Sequence, residues 1–289
     1  AVTIVVVILI VYTLLRWIDH LSKLGRVGET IDRVEQAAID AINNRVQWPH
    51  LGAAAYPCES VIPSSALIIT SLHTGYVQHI DVQALGVIAN TDEIQIFMDV
   101  LPGSFVHIGM PLARTVSLSK ARGEELASSN EKIIATLAIG VRRTFEHDPR
   151  FGLSVLSEIA SRALSPAVND PGTAIDVIGR GVRSLTCWGT PKEPAAKIDA
   201  DCQHVYLRGL TVDDLFDDFF APIARDGAGL VEVDLRMMKA LVSLAQINPA
   251  MFRGACTRHA ELLLKHANTA LVLEEDRHKL RAAARPLLH

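Results

Sequence analysis

Residues 148–174, DPRFGLSVLSEIASRALSPAVNDPGTA, contain two consecutive helix starts and decide the fold of the C-terminal half. In Asp148-Pro149 and again in Asp170-Pro171, an aspartate that can cap free N–H groups precedes a proline, which has no N–H to leave unpaired. Apolar residues between the two starts recur at the spacing of one helical face: Leu156, Ile159 and Ala163. The stretch therefore predicts two helices joined by a short loop.

Helical spacing extends over most of residues 128–289, which predicts a mainly α-helical soluble domain. Further apolar stripes are Ile133, Leu137 and Val141; Ile175, Ile178, Val182 and Leu185; and Leu230, Val233, Met237, Leu241 and Leu244. Helices are also expected over Met251–Ala267 and Glu274–Leu288. Other expected helix starts are Ser128-Ser129, Thr211 before Asp213-Asp214, and Asn248-Pro249.

Residues 56–120 lack the helical period and are typical of short strands between turns. The expected strands are Ala66–Thr70, Gly75–Ile80, Glu93–Val100 and Phe105–Val106. The rhythm of PGSFVHIGMPL (102–112) resembles the small barrel-sandwich folds of lipoyl and adaptor domains, so we predict a small β-barrel or sandwich domain. No lysine lies between Lys23 and Lys120, which excludes a lipoate or biotin carrier, and no cofactor is expected.

The N-terminal run AVTIVVVILIVYTLL (1–15) is uncharged, and Tyr12, Arg16 and Trp17 at its end are residue types that anchor helices at lipid headgroups. Fifteen residues are fewer than the ~20 needed to cross a bilayer. The run predicts the end of a transmembrane helix over residues 1–20, and we expect that helix to begin upstream.

A juxtamembrane connector helix is expected over residues 21–47, because apolar residues repeat there at alternating spacings of three and four: Leu24, Val27, Ile31, Val34, Ala38 and Ala41. This stripe suits either packing against its own domain or self-association into a homo-oligomer. Basic residues follow the apolar run closely and place the soluble part in the cytoplasm, at the bacterial inner membrane: Arg16, Lys23, Arg26 and Arg33.

Bulk composition excludes some partners and compartments. The net charge of −4 provides no basic field, so nucleic acid is not an expected partner. The four cysteines, which form no C-x-x-C pair, are interpreted as free thiols in a reducing compartment: Cys58, Cys187, Cys202 and Cys256. Together the segments predict an α+β protein made of a transmembrane helix end, a small β domain and a helical soluble domain.

Three groups of residues are candidates for chemistry, each with a simpler structural explanation. The first is a loop whose residue types suit phosphate binding or water activation, or plain helix capping: Asp148, Arg162, Ser165, Asn169, Asp170 and Thr173. No metal is expected, and the weak metal candidates are His73, His79, Asp81 and His107, which match no ligand motif. The third is an acidic patch that suits either partner docking or a solvated helix face: Asp213, Asp214, Asp217 and Asp218.

Several of these stretches together resemble the bacterial predicted-membrane-protein family called domain of unknown function 2254. They are TGYVQHID (74–81), PGSFVHIGMPL (102–112), residues 148–174 and DDLFDDFFAPIARDG (213–227). The resemblance implies a bundle of membrane helices, of which this chain keeps the last, and then a cytoplasmic domain. It implies no activity. Relatives often carry paired histidines at the membrane edge, where this chain has Asp19 before His20.

These observations favour an oligomeric transport, channel or gating protein with a cytoplasmic domain. The alternatives are a membrane-anchored enzyme that uses the Asp148 and Ser165–Asp170 loops, or a scaffold that docks a soluble protein partner. The chain contains no G-x-S-x-G, H-E-x-x-H, Walker A or G-x-G-x-x-G motif, which argues against the enzyme.

Overall fold

The structure, a computed structural model, describes residues 4, 6, 9–17, 27–57, 62–118, 123–191 and 200–288. Its helices are α1 (9–17), α2 (Val27–Gln47), α3 (Val82–Thr91), α4 (Gly123–Ala135), α5 (Pro149–Ala163), α6 (Pro171–Gly189), α7 (Val212–Asp226), α8 (Val231–Ile247), α9 (Pro249–Ala270) and α10 (Glu274–Leu288). Its strands are β1 (Ala54–Ala55), β2 (Leu67–Thr70), β3 (Gly75–Ile80), β4 (Ile94–Met98), β5 (Phe105–Val106), β6 (Pro111–Ser117), β7 (Leu137–Gly140) and β8 (Val205–Leu207).

The strands form two small open sheets. One has the order β1-β8-β4-β6-β2, with β8 parallel to both of its neighbours, and the other has the order β5-β3-β7 with antiparallel pairs. Both sheets and α3 contribute to one apolar core that includes Val77, Leu85 and Ile96. Two strands of these sheets come from beyond residue 120: β7, which precedes α5, and β8, which follows α6.

The predicted β-barrel or sandwich is wrong. A barrel closes when its first and last strands pair, whereas β1 and β2 lie at opposite edges of the larger sheet and do not pair among the described residues. The barrel-like rhythm of residues 102–112 corresponds instead to two turns around the short strand β5 and to the start of β6. Glycines with positive φ allow those turns, Gly103 at +94° and Gly109 at +83°.

The predicted end of a transmembrane helix is also wrong as a description of this fold. Among the residues that the structure describes, no helix combines the length and the apolar character that a bilayer crossing requires. Residues 1–3, 5, 7–8 and 18–20 of the expected segment lie outside the described residues.

A second apolar core joins α2 to the helices from α5 to α10. Four aromatic rings with no exposed surface lie at its centre: Phe216, Phe219, Phe220 and Phe252. The connector stripe packs on its own chain, since Ile31, Val34, Ala38 and Ala41 are buried where α2 contacts α5 and α6. The Leu24 and Val27 side chains lie outside the described residues.

Most local predictions match the structure, but one helical stripe is not a single helix, and α3 lies within residues 56–120, where only strands and turns were predicted. β3 and β5 have the expected bounds, while the other two expected strands are shorter by a few residues, Leu67–Thr70 and Ile94–Met98. The Ile133–Leu137–Val141 stripe is not one helix, because α4 begins before Ser128-Ser129 and ends at Ala135. Leu137 then enters β7, which pairs with β3, and the Val141 side chain is 86% exposed. Tertiary strand pairing overrides the helical spacing here.

Candidate functional site

Asp148 is a buried cap that holds the start of α5. Its side chain accepts a hydrogen bond from the Phe151 N–H at 3.1 Å, and both of its oxygens accept from the Arg143 guanidinium at 2.8 and 3.0 Å. A side chain at Gly103 would collide with this carboxylate, which explains the glycine there. The carboxylate is only 2% exposed and already fully engaged, so the geometry shows a structural role.

The second candidate loop lies at the other end of α5. Asp170 caps α6 by accepting from the N–H of Thr173 at 3.1 Å and from its hydroxyl at 2.6 Å, and these hydrogen bonds lower the pKa of the Asp170 carboxyl. The Ser165 hydroxyl donates to the Arg162 carbonyl at 2.7 Å, and Asn169 has a φ of +49°.

The structure thus brings five of the six candidate loop residues together and separates Asp148 from them. The 15 residues of α5 lie between the two groups and correspond to about 22 Å of helix. One active site that uses both groups would need both within reach of one substrate atom.

The weak metal candidates are also dispersed. Among the described residues, no three His, Cys, Asp or Glu side chains lie close enough to hold a metal ion. His73 and His107 lie exposed in turns, while Asp81 caps α3 by accepting from the Ala84 N–H at 2.9 Å. His79 contacts a histidine that we did not single out, His147.

The acidic patch on α7 is tied to neighbouring helices by ion pairs. Both oxygens of Asp218 accept from Arg150 on α5, at 2.6 and 3.0 Å. Arg258 on α9 bonds Asp217 at 2.7 Å and Asp213 at 2.8 Å. These contacts connect α5, α7 and α9, so much of the patch's charge is neutralised within the protein.

A surface cavity of about 360 Å³ lies between the C-terminal end of α2 and the corner where β3 meets α3. Asn44 lines it from α2 and Trp48 from the residue that follows α2, and His79, Asp81 and Gln83 line it from the corner. The remaining lining residues are Leu51, Gly52, Ile80, Val82, His147 and Cys202. The volume is within the usual range of small-molecule sites, and polar groups converge in the cavity from four separate segments.

Two imidazole rings face each other in this cavity. The ring centroids of His79 and His147 are 4.7 Å apart and the ring planes are tilted by 47°. The pKa of His147 is lowered, and burial is the largest cause. The charges of His79 and Arg45 lower it as well, whereas the charge of Glu146 raises it. His147 is therefore held mainly in its neutral form at neutral pH, and a second positive charge nearby is disfavoured.

Arg45 on α2 lies behind His147 and is almost fully buried, with 2% exposure. Its Nη2 donates to the His147 carbonyl oxygen at 2.9 Å, and its Nη1 is buried without a hydrogen-bond partner. Burial lowers the pKa of Arg45 to about 10, while the charge of Asp148 opposes that change. A buried positive charge therefore lies behind the cavity lining, at the backbone of His147.

Sequence reasoning singled out only His79 and Asp81 of the cavity residues. It missed Asn44, Trp48 and His147, which lie far from His79 along the chain. The one signal for His147 in the sequence is its place directly before the Asp148-Pro149 helix start, which positions it. His147 thus takes its place beside β3 only after the loop before α5 has folded.

The fold and the cavity define a mixed α and β protein with two open sheets, a helical bundle and a small-ligand cavity between them. The family model described as "Predicted membrane protein (DUF2254)" matches residues 1–243, and the chain belongs to this family. The family's activity is unknown. No solved structure matches the chain significantly.

Two uncharacterized proteins are among the curated relatives, one from Mycobacterium bovis and one from Mycobacterium tuberculosis. Each is 28% identical over 167 residues, which cover 57% of this chain and 32% of the relative. The match thus spans about a third of the length of these relatives.

Proposed function

We propose that this chain is the sensing and gating part of a homo-oligomeric membrane transport or channel protein, and that its sheets and helical bundle lie at the cytoplasmic face of the bacterial inner membrane. The observation that carries the proposal is the position of the cavity at the end of α2. A ligand there contacts both α2 and the sheet corner, so it sets the spacing between them.

Membrane association is supported by the side chains of α1. Its large apolar side chains are all 50–62% exposed: Leu9, Ile10, Val11, Tyr12, Leu14, Leu15 and Trp17. The Thr13 hydroxyl donates to the carbonyls of Leu9 and Ile10, at 2.7 and 2.9 Å. Apart from Arg16 near its end, α1 exposes apolar side chains, which need lipid or another apolar surface around them.

Coupling between α1 and the cavity is supported by the way α2 is held. Glu35 on α2 accepts from Arg183 at 2.6 and 3.0 Å and from Arg180 at 2.8 Å, both on α6. Gly152 of α5 packs directly against Ala38 of α2. Because α2 is fixed to two helices of the bundle, a displacement of its N-terminal end moves them together.

The orientation and assembly in this proposal have separate support. The basic residues near the apolar run satisfy the positive-inside rule for a cytoplasmic body. A permeation path needs several helices around it, which favours assembly of several copies. The capping roles of Asp148 and Asp170 make the enzyme alternative weaker, and the paired charges on α7 make the docking scaffold weaker.

The test measures ion flux from liposomes that contain the full-length protein. Gln83→Trp places a large ring in the cavity, whereas Val87→Trp adds the same ring one turn further along α3, at a position that is 63% exposed. We expect K⁺ or Cl⁻ flux that changes at least threefold in the Gln83 variant and stays at the wild-type level in the Val87 variant. Absence of flux, or equal flux in all three proteins, would overturn the proposal.

A further inference from the structure

We infer that the cavity at the end of α2 binds a small oxyanion, a carboxylate or phosphate group, beside the adjoining imidazoles of His79 and His147, and that it takes up protons together with the anion. The inference rests on the proposed function, because it names the ligand of the same sensing site. The juxtaposed rings, the surrounding donors and the nearby buried guanidinium carry it.

The polar groups of the lining are mostly hydrogen-bond donors. Asn44 and Gln83 have amide N–H groups, Trp48 has an indole N–H and no acceptor, and each imidazole has at least one N–H. The carboxylate of the lining, Asp81, is partly engaged because its Oδ1 caps α3. A ligand rich in acceptor oxygens is the best complement to this donor set.

One buried positive charge, Arg45, lies near the rings together with the carboxylates Glu146 and Asp81. The charged groups that act on His147 are Arg45 and His79, which disfavour its protonated form, and Glu146, which favours it. Arg45 is buried behind the ring, so its positive charge is poorly screened by solvent. Asp81 is the opposing charge within the cavity, and its position at the N-terminus of α3 offsets part of that charge.

Anion binding and proton binding are therefore linked. Two imidazolium rings with centroids 4.7 Å apart repel each other, so the doubly protonated pair is disfavoured in the empty cavity. An oxyanion beside the pair that accepts an N–H from each ring offsets this repulsion with two charge-assisted hydrogen bonds. By linkage, the protons raise the affinity for the anion as much as the anion raises the affinity for the protons.

The experiment is calorimetric titration of the full-length protein in detergent, with acetate and inorganic phosphate as probes at pH 5.5 and 8.0. Buffers of two different ionisation enthalpies count the protons that are taken up. We expect at least tenfold tighter binding at pH 5.5 for one probe or both. Acetate controls for the charge of the probe. Its negative charge is slightly lower at pH 5.5 than at pH 8.0, so its own ionisation cannot explain tighter binding at pH 5.5.

Variants locate the binding. His147→Gln and His79→Gln each remove an imidazole ring, and we expect at least a tenfold loss of affinity at pH 5.5. His107→Gln is the matched control, since His107 is exposed in a turn outside the cavity. The Arg45 bond to residue 147 uses the backbone carbonyl, so His147→Gln leaves it in place, and a thermal melt checks the fold.

Each outcome decides one point. Tighter binding of phosphate than of acetate assigns a phosphate group, and the reverse assigns a carboxylate. Binding that is equal at both pH values, or unchanged in both cavity variants, overturns the inference. If no probe binds but Gln83→Trp alters flux, the ligand class is wrong and the gating proposal stands; if a probe binds as expected without any flux, the gating proposal is wrong.

Discussion

Replacing Gly152 with alanine should force α2 and α5 apart. A Cβ at Gly152 would lie 2.5 Å from the Cβ of Ala38 and 2.8 Å from its Cα. Carbon atoms in contact prefer about 3.5–4.0 Å, so the added methyl group is roughly 1 Å too close. Neither Ala38 atom can rotate away, because both are fixed to the α2 backbone, and the helices themselves must move.

The expected cost is about 1–3 kcal/mol of overpacking, offset by about 1 kcal/mol from the higher helix propensity of alanine. Gly254→Ala is the matched control, because Gly254 also lies within a helix and its added Cβ meets nothing within 4 Å. The control gains the propensity alone. The difference between the two variants therefore isolates the overpacking, at about 1–3 kcal/mol.

The assay is urea unfolding followed by far-UV circular dichroism on the wild type and both variants. We expect Gly152→Ala to unfold at lower urea than Gly254→Ala, with similar slopes. A Gly152 variant that matched or exceeded the stability of the control would show that α2 and α5 do not pack as closely as described.

Three other substitutions or modifications have defined outcomes. Glu35→Gln should destabilise the protein by about 1–3 kcal/mol in urea, because it weakens the charge-assisted bonds from two arginines of α6 to α2. Burial raises the pKa of the Asp234 carboxyl to about 7, so folding takes up a proton and the stability of the wild type falls as pH rises from about 4 to 7. Asp234→Asn should therefore be more stable than the wild type at pH 8, by an amount on the order of 3 kcal/mol. At pH 4 the two proteins should be nearly equal in stability. Burial raises the pKa of the Cys256 thiol to about 12, so iodoacetamide at pH 8 should alkylate Cys256 only after unfolding and Cys187, which is partly exposed, in the native protein.

Contrary results for these three are equally defined. Unchanged stability of the Glu35 variant would mean that α2 is held by apolar packing alone. A parallel pH profile for wild type and the Asp234 variant would refute the raised pKa, and native-state alkylation of Cys256, detected by mass spectrometry, would refute its burial.

Local signals in the sequence predicted four of the five expected helix starts correctly, and the fifth, Ser128-Ser129, lies inside α4. Asp148, Asp170, Thr211 and Asn248 all cap helices, and Thr211 with Asp214 forms a full capping box. Such signals succeed because the capping side chain and the N–H groups that it bonds lie within three residues of each other. The bounds of β3 are likewise decided by nearby turns.

Long-range pairing is what the sequence did not reveal. β8 has only three residues and joins the larger sheet from beyond α6, and β7 is a strand because β3 is there to pair with it. The cavity depends on the same kind of contact, since His79 and His147 meet only after β3 and the loop before α5 are in place. Periodicity within a window cannot report a partner that lies more than 60 residues away.

The position of β8 between β1 and β4 also has a consequence for biosynthesis. A nascent chain emerges from the ribosome N-terminus first, so β1 and β4 leave the exit tunnel well before residues 205–207. Until then, the edge of β4 that accepts β8 offers unpaired backbone groups to any passing strand. A fragment that ends after α6 would keep that edge open permanently, so it should aggregate, and expression of the sheet region requires the chain at least through Leu207.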